Sequence, residues 1–515
     1  MWLLSLACRG PAPDSPDPTP DDSSEVVIEV GPPNVLLVLL DDVGVDKFSG
    51  YAGDVEGYEP SYLPQTDTFD QVGAAGVRFT HAWSNPLCSP TRASLFTGRH
   101  PYRHGVGSVV PQGPELADEE VTFAEAALGY KVGLFGKWHV GDSGLPTDET
   151  PSPRWYEVAE GNTRDNPVEL QHSLNPIRQG FDAYIGGLSG TLCTVTPEGC
   201  IGDYDFWLVA AGNAEEPGRT QAWWEEGYAT EVQVDDALAW ISQQDEVPWI
   251  AMVALHAPHT PLHGTGGRGC SQIRPNTLRV PPIQTYAGML ECADHHVGRL
   301  LEALDAQGDL DDTLIVIAGD NGTEAHFREG PFAADQTVKG TAYESSVHVP
   351  LVISTGESWS SVAAGGEPVE SELVALPGRE VDQMVHTTDL FATVLEWVGG
   401  DRSTGVDSVS LVPVLEGPSR EIPRDVLYTE RFWDEGGFTV GFAALKTVEH
   451  TKLVVSVLSN GEAACRRLEL YESAAVEGDD RYGDADMEAA QTELDAALQA
   501  LIDDGAAWLD QPPCP

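Results

Sequence analysis

Four short segments of the sequence carry polar side chains of the kinds that bind metal ions and anions. Two segments offer carboxylate and amide oxygens, which as hard ligands favour calcium or magnesium over zinc. The other two offer lysine and histidine, which stabilise negative charge and transfer protons. In chain order the segments are Asp41-Asp42, Lys137 with His139, His256 with His259, and Asp320-Asn321.

Each segment follows a short apolar run that predicts a buried parallel strand. These runs are residues 35–40, 131–135, 249–255 and 313–318. Helical patterns lie between them, at 122–128 and 288–304, so we predict an α/β fold with helices on both faces of a sheet. Ligands of open α/β sheets bind outside the carboxyl ends of the strands. The four segments are therefore expected to meet at one edge of the sheet.

The most specific pattern in the chain is the pentapeptide Cys-Ser-Pro-Thr-Arg at Cys88 to Arg92. Ser-Asn-Pro precedes it at 84–86, and Leu-Phe-Thr-Gly-Arg follows it at 95–99. The whole stretch resembles the C-x-P-x-R signature of type I sulfatases, a family of the alkaline phosphatase superfamily. In that family a formylglycine-generating enzyme reads the pentapeptide and oxidises its cysteine to formylglycine. The resemblance implies the same modification at Cys88.

Formylglycine would solve a chemical problem of sulfate ester hydrolysis. Its aldehyde hydrates to a gem-diol, of which one oxygen attacks sulfur and the other later loses its proton to expel sulfate. No stable sulfate ester of the enzyme then has to be hydrolysed. Pro90 suits an early helix position, which would place residue 88 at a positive helix end, and Arg92 would hold the ionised oxygen of the nucleophile.

The resemblance extends to the four polar segments. Asp41, Asp42, Asp320 and Asn321 match the metal site of the family, with residue 88 beside it, and imply Ca²⁺, or Mg²⁺ as the alternative. The remaining matches imply contacts with the sulfate group. Lys137 would bind a sulfate oxygen, His139 would orient the nucleophile, His259 would bind sulfate or protonate the leaving oxygen, and His256 would either bind substrate or be structural.

Lys339 matches the family lysine that contacts the bridging oxygen of the ester. The chain departs from the family pattern just after it. The family sequence Glu-Gly-Gly-x-Arg-Val-Pro appears here as Glu-Ser-Ser-Val-His-Val-Pro at 344–350. This change puts the leaving-group side of the pocket in question, and we interpret His348 as a structural replacement.

The resemblance covers residues from about 33 to about 472 and implies an alkaline-phosphatase-like fold. That fold is a large, mixed, mostly parallel sheet flanked by helices, with a smaller C-terminal α+β part built on an antiparallel sheet. We predict a signal and tether segment at 1–30, a catalytic domain at 31–415 and a C-terminal domain at 416–515. The irregular stretch 147–228 is interpreted as loops that shape the substrate mouth.

The charge balance limits the partners of the protein. With 82 acidic and 28 basic residues among 515, the net charge is −54, which argues against nucleic acid and anionic membrane surfaces. The N-terminus reads Met-Trp-Leu-Leu-Ser-Leu-Ala-Cys and then becomes rich in Pro, Asp and Ser. Cys8 resembles a lipoprotein acylation site imperfectly, so a lipid anchor, simple secretion and a misassigned start all stay open. We predict a secreted, periplasmic or envelope-anchored protein.

Six further cysteines suit disulfides in an oxidising compartment, although the sequence does not determine their pairing. Cys193 and Cys200 form the easiest local pair. The six are Cys193, Cys200, Cys270, Cys292, Cys465 and Cys514.

The predicted activity is hydrolysis of a sulfate monoester, either a sulfated carbohydrate or an aryl sulfate. A phosphonate or phosphate ester hydrolase of the same superfamily is the alternative, because the same metal, lysine and histidine set serves phosphorus. A silent anion-binding protein is a third interpretation, disfavoured because every expected nucleophile, metal and lysine position is filled.

Overall fold

The computed structural model describes residues 33–52, 58–59, 61, 63–110, 113–141, 158, 161–170, 173–192, 194–196, 199–244, 247–264, 270, 281–334, 339–371, 373–461, 463–472 and 480–514. Cys8, the predicted tether and Cys193 lie outside these residues.

An eleven-stranded mixed sheet forms the centre of the molecule, with strand order β13-β2-β12-β11-β1-β10-β3-β5-β8-β9-β4. Four strands at its middle, β11, β1, β10 and β3, are neighbours and parallel. The strands are Asn34–Leu40 (β1), Val77–Trp83 (β2), Lys131–Gly136 (β3), Val168–Leu170 (β4), Ala183–Gly186 (β5), Thr194–Thr196 (β6), Gly199–Ile201 (β7), Trp207–Asn213 (β8), Thr220–Glu225 (β9), Trp249–Ala254 (β10), Thr313–Gly319 (β11), Leu351–Thr355 (β12), Arg379–His386 (β13), Val426–Glu435 (β14), Phe438–Thr447 (β15), Thr451–Ser459 (β16) and Ala464–Glu472 (β17).

Thirteen α-helices are present in the described part of the chain. They are Ser49–Ala52 (α1), Asp67–Ala75 (α2), Cys88–Thr97 (α3), Pro101–His104 (α4), Phe123–Ala126 (α5), Asn175–Arg178 (α6), Ala229–Ile241 (α7), Pro281–Gln307 (α8), Glu344–Val347 (α9), Gly356–Ala363 (α10), Asp389–Val398 (α11), Val412–Glu416 (α12) and Glu488–Asp503 (α13). Short 3₁₀ turns lie at Val45–Lys47, Ala325–Phe327, Gly330–Ala334, Ala485–Met487 and Ala507–Leu509.

The four apolar runs of the sequence are the four central strands, so the predicted parallel sheet is confirmed. Both faces of the sheet are covered, because alternate side chains of a strand point to opposite sides. Val35, Leu37 and Leu39 pack into a core that includes α3 and α11. Leu36 and Val38 pack into a second core that includes α2, α7 and α8. Covering both faces requires consecutive apolar residues, and after Asn34 every position of β1 is apolar and buried.

The interpretation of 147–228 as loops was wrong for the described part of that stretch. Strands β4, β5, β8 and β9 extend the main sheet there, and β6 and β7 form a hairpin. Strands β8 and β9 are antiparallel and alternate buried with less buried side chains, as in Trp207, Leu208 and Val209. A search for continuous apolar runs overlooks such strands.

The C-terminal part contains the predicted antiparallel sheet, a four-stranded meander of β14, β15, β16 and β17. The apolar stripe of α13 packs on it through Leu494 and Leu498, with Leu501 partly buried. The described part of the chain contains two disulfides, Cys270–Cys292 and Cys465–Cys514, and the second ties β17 to the C-terminal segment. Residues Pro32–Pro515 form one compact unit, and the boundary near residue 415 stays a prediction.

A buried carboxylate joins the C-terminal sheet to the main sheet. Glu344, at the start of α9, accepts hydrogen bonds from Lys446 at 3.3 Å, Lys452 at 3.1 Å and the indole Nε1 of Trp83 at 3.0 Å. Burial opposes its ionisation, but the two ammonium groups hold the pKa of Glu344 below its usual range. The negative charge of Glu344 therefore offsets the positive charges of two buried lysines, Lys446 and Lys452.

We expect Glu344→Gln to lower the free energy of unfolding by about 3 kcal/mol, because it removes the negative charge that faces two buried ammonium groups. The carboxylate contributes stability above its unfolded-state pKa of about 4.3, and loses it as the pH falls through the lower folded-state value. The difference in the free energy of unfolding between wild type and Glu344→Gln should therefore become smaller as the pH is lowered. Urea unfolding between pH 4 and 7 measures both effects, and Glu416→Gln, in an exposed pair with Arg420, is the matched control. Equal midpoints for wild type and Glu344→Gln at pH 7 would contradict the assignment.

Candidate active site

The four polar segments of the sequence meet at the carboxyl ends of the central strands. Asp41 and Asp42 follow β1, and the amide N–H of Asp42 donates to Oδ1 of Asp320, which follows β11, at 3.1 Å. Asn321 Nδ2 donates to Oδ1 of Asp42 at 2.7 Å. Lys137, which follows β3, donates to Oδ2 of Asp41. The strands are in register, with Leu39 beside Ala254 and Ala318, and this brings the segments to one level.

Cys88 is the first residue of α3 and is buried as a free thiol. Its Sγ lies 3.2 Å from Nδ1 of His139. Burial raises the pKa of the Cys88 thiol, an effect that Lys137 partly offsets. Pro90 stands in the first turn of α3, as predicted from its fixed φ. A group at position 88 thus sits at the positive end of a ten-residue helix, where negative charge is favoured.

The contacts of His139 define its tautomer. Nε2 lies 2.9 Å from the carbonyl oxygen of Val110, which can only accept, so Nε2 carries the proton and Nδ1 is free to accept from residue 88. Burial, followed by Lys137 and Arg92, holds the pKa of His139 well below its usual range. The ring is therefore neutral and oriented as a hydrogen-bond acceptor toward residue 88.

The loop that follows β5 contacts His139. The carbonyl oxygen of Leu188 accepts from the amide of His139 at 3.2 Å, and His139 has a φ of 60°, unusual for a residue with a side chain. A Cβ on Gly190 would lie 2.4 Å from Cε1 of the His139 ring. Only glycine fits at position 190 while the ring keeps this orientation.

Three cations, of which Lys137 and Arg92 are buried and Lys339 is partly buried, each pair with one of three buried carboxylates. Lys137 pairs with Asp41, Lys339 with Asp42, and Arg92 with Asp320. Arg92 donates to Oδ2 of Asp320 through Nε and Nη2 at 3.1 and 2.9 Å, and to the carbonyl oxygen of Lys137 at 2.7 Å. Arg92 therefore links the Asp320 side chain to the backbone at Lys137. Its predicted contact with the nucleophile stays a prediction.

The oxygen donors fit a hard divalent cation. Oδ1 of Asp41 and Oδ1 of Asn321 are buried and have no hydrogen-bond partner in the described structure. Asp41, Cys88 and Asp320 offer ligand atoms within 4.8 Å of one another. Burial and the charge of Asp320 raise the pKa of Asp41 to about 8, whereas Lys339 and His259 hold the pKa of Asp42 below its usual range against the effect of burial. A cation ligated by these oxygens would relieve the repulsion among the carboxylates.

The two histidines of the third segment, His256 and His259, have different surroundings. His259 donates from Nδ1 to the carbonyl oxygen of Thr260 at 2.7 Å, and its Nε2 faces Asp42 Oδ2 at 3.8 Å. Burial lowers the pKa of His259 to about 4, although Asp42 opposes this shift. His256 is buried beside Gln233, whose Nε2 lies 2.7 Å from its Nδ1. His259 therefore borders the carboxylates, and His256 is held from behind by α7.

The sequence departure at 344–350 has a structural explanation. The carbonyl oxygen of Ser346 accepts from the amide of Gly322 at 2.9 Å, so the turn still supports the Asp320 segment. His348 donates from Nε2 to the carbonyl oxygen of Thr80 at 2.8 Å and stands 3.6 Å from Glu344. Both contacts are consistent with the structural role predicted for His348.

Residues 33–400 match the family model described as Sulfatase. The chain belongs to the sulfatase family. Arylsulfatase A of Homo sapiens is 28% identical over 416 residues, which cover 78% of this chain and 72% of arylsulfatase A. The crystal structure of Ps i-CgsB in complex with k-i-k-neocarrahexaose has a TM-score of 0.64 at 22% identity, covering 93% of this chain and 94% of that one. The structure of BT4656 in complex with its substrate D-glucosamine-2-N,6-O-disulfate has a TM-score of 0.61 at 17% identity, covering 92% and 97%.

These similarities confirm the predicted family and fold class, and the protein is a sulfatase. The roles of individual site residues stay predictions.

Three residues that support the site of this sulfatase were missed in the sequence. Tyr204 donates to the carbonyl oxygens of His256 at 2.6 Å and His259 at 2.8 Å, and so fixes the histidine loop. Gln233 holds His256, and Tyr286 donates to the carbonyl oxygen of Asp42 at 2.6 Å. Asp42 has a φ of 65°, so this contact holds the backbone in the left-handed region. Their partners lie far away in sequence, and no local spacing signals them.

We expect Gly190→Ala to lower the kcat of this sulfatase about 100-fold on an aryl sulfate, because the new methyl group must displace the His139 ring. The midpoint of thermal unfolding should change little, because position 190 lies at the surface of the site and outside helices and strands. Gly218→Ala, which would meet no atom within 4 Å, is the control. An unchanged kcat in Gly190→Ala would show that the His139 geometry is not needed for turnover.

Proposed function

We propose that this sulfatase hydrolyses sulfate monoesters of carbohydrates or aryl alcohols through a formylglycine made from Cys88, with a divalent cation held by Asp41, Asp42, Asp320 and Asn321. Calcium is the first candidate and magnesium the alternative. The observation that carries the proposal is the environment of Cys88. Its free, buried Sγ stands at the start of α3, 3.2 Å from a histidine that can accept its proton and beside buried carboxylates.

Each proposed group supplies one kind of chemistry. The hydrated aldehyde of formylglycine supplies an oxygen nucleophile and, after transfer of the sulfuryl group, a hydroxyl whose deprotonation releases sulfate. The bound cation polarises a sulfate oxygen and favours ionisation of the nucleophile. His139, neutral and accepting at Nδ1, orients the hydroxyl at position 88. The helix end at residue 88 favours the charge that develops there.

Lys137 and Lys339 provide the positive charge for the sulfate group. In the described structure their ammonium groups neutralise Asp41 and Asp42. With these carboxylates serving as ligands of a divalent cation, both ammonium groups would be able to contact sulfate oxygens. Burial opposes the charge of Lys339, but Asp42 raises its pKa above the usual range, so the side chain is an ammonium at neutral pH. Lys339 can therefore donate to the bridging oxygen as that oxygen leaves.

His259 contacts the sulfate group in this proposal. Its neutral form exposes an unprotonated Nε2 toward the pocket, because Nδ1–H is used by Thr260. A bound anion beside Nε2 favours the protonated ring. His256, whose Nδ1 is occupied by Gln233, is proposed to line the pocket wall rather than to react.

The carbohydrate part of the proposal is supported by the proteins that share this fold. Ps i-CgsB is in complex with k-i-k-neocarrahexaose, and BT4656 is in complex with a disulfated glucosamine described as its substrate. Among the described residues, no helix has the length and apolar character of a membrane span. Maturation by a formylglycine-generating enzyme, a lipid anchor at Cys8 and a secreted, periplasmic or envelope location remain part of the proposal.

The first test is the mass of the peptide that spans Cys88, in protein from its native host, together with aryl sulfate hydrolysis before and after chelation. We expect an aldehyde in place of the thiol, turnover lost on chelation and restored by calcium, and a faster rate on 4-nitrophenyl sulfate than on 4-nitrophenyl phosphate. A thiol in fully active protein would overturn the formylglycine step. A faster phosphate ester would favour the phosphoesterase alternative.

A second test separates the role of Lys339 from general binding. Lys339→Met should lower kcat on an alkyl sulfate by about 100- to 10,000-fold, because the alkoxide needs a proton donor, and lower it much less on 4-nitrophenyl sulfate, whose phenolate leaves unaided. Lys131→Met is the control, since Lys131 pairs with Asp182 at the opposite end of β3 from Lys137. Equal losses on the two esters would place Lys339 in sulfate binding instead of leaving-group assistance.

A further inference from the structure

Strand β14 of the C-terminal sheet is fixed along the segment that leads into and out of α3. Thr429 Oγ1 donates to the carbonyl oxygen of Ser84 at 2.8 Å. Glu430 Oε1 accepts from the amide of Tyr102 at 2.7 Å, and the amide of Phe432 donates to the carbonyl oxygen of Gly107 at 2.8 Å. The residue between these anchors, Arg431, is therefore held beside the start of α3.

The Arg431 side chain reaches the rim of the Cys88 site. Its Nη1 donates to the carbonyl oxygen of Gly340, the residue after Lys339, at 3.0 Å. A Cβ on Gly340 would lie 2.2 Å from this Nη1 and 3.4 Å from Cδ2 of Leu87, the residue before Cys88. The guanidinium thus lies between the segment that carries Lys339 and the segment that carries the nucleophile.

Arg431 lacks the carboxylate partner that most arginines of this acidic protein have. Arg103 and Arg424, for example, pair with aspartates at 2.8 and 2.5 Å. Among the residues that the structure describes, no carboxylate oxygen lies within 4.0 Å of the Arg431 nitrogens. Its Nε is buried without a hydrogen-bond partner. Burial lowers the pKa of Arg431.

The guanidinium is also oriented. It lies over the ring of Trp433, 4.6 Å from the ring centroid, which limits its motion, and no described residue accepts a hydrogen bond from its Nη2. A fixed guanidinium edge matches the planar pair of oxygens that a carboxylate or a sulfate group presents. A half-buried, unpaired cation in this state is stabilised by an anion that arrives from solution.

We propose that Arg431 binds a second oxyanion of the substrate, a sulfate or carboxylate group on the sugar that carries the scissile sulfate or on its neighbour. This inference rests on the proposed hydrolysis of sulfate monoesters and makes the substrate a multiply charged saccharide. Such a ligand approaches a protein with a net charge of −54, so a local cation at the rim offsets long-range repulsion.

The test uses binding, so that it does not depend on turnover or on maturation of residue 88. In the Cys88→Ala protein, calorimetry with added calcium gives the dissociation constants of two matched pairs of 6-sulfated sugars. One pair is N-sulfoglucosamine 6-sulfate and N-acetylglucosamine 6-sulfate, which differ by one sulfate. The other is the unsaturated chondroitin 6-sulfate disaccharide and its methyl ester, which differ by one carboxylate charge.

We expect Cys88→Ala to bind the sugar with the additional negative charge about tenfold more tightly in at least one pair. When Arg431→Gln is added, the two sugars of that pair should bind with about equal affinity. The pair that shows the preference identifies the second group as sulfate or carboxylate. The preference should also weaken with added sodium chloride. Arg467→Gln removes the same charge from an exposed arginine that pairs with Glu469, and this variant should keep the preference.

Equal affinities within both pairs, no binding of any of the four sugars, or a preference that survives Arg431→Gln would each overturn the inference. Failure of this inference and failure of the proposed function give different results. If matured protein hydrolyses aryl sulfates while the preference is absent, only the role of Arg431 fails. If Cys88→Ala shows the preference but matured protein has no sulfatase turnover, the proposed chemistry fails instead.

Discussion

The site depends on the burial of three carboxylates at one edge of a parallel sheet. Asp41, Asp42 and Asp320 are all fully or almost fully buried, and like charges at such separations repel strongly where water is excluded. The chain balances them with Lys137, Lys339 and Arg92, one cation for each carboxylate. These ion pairs stabilise the buried carboxylates in the absence of a bound metal ion. The divalent cation of the proposed function would make the net charge of the pocket positive, and a sulfate monoester is the kind of anion that such a pocket attracts.

The backbone around these charges is held in unusual conformations by contacts from distant parts of the chain. Asp42 and His139 have φ values of 65° and 60°, which side chains rarely tolerate. Tyr286 holds the carbonyl oxygen of Asp42, and the Leu188 carbonyl holds the amide of His139. Strained residues persist where the surrounding structure determines their conformation. The geometry of the reacting groups is thus a property of the complete sheet and its helices.

The sequence predicted those features that are local in the chain. The four central strands are continuous apolar runs, and the polar residue after each run was placed at the correct edge because parallel strands end together. Strands β8 and β9 were missed, because strands at the side of a sheet alternate in burial and lack such a run. Tyr204, Gln233, Tyr286 and Arg431 were missed because their roles arise from contacts between distant segments. The carboxylate partners of the lysines could not be predicted either, because sequence spacing does not reveal which carboxylate a buried ammonium group contacts.

The chain has only six lysines, and it uses most of them in the interior. All six lysines form ion pairs, and five of them, at 47, 137, 339, 446 and 452, have side chains that are buried or nearly so. Two of these pairs lie in the site and two hold the C-terminal sheet against Glu344. The same sheet carries Arg431 to the rim of the site. The buried pairs at Glu344 therefore connect the stability of the C-terminal sheet to the position of Arg431, which links a structural ion pair to the recognition of substrate charge.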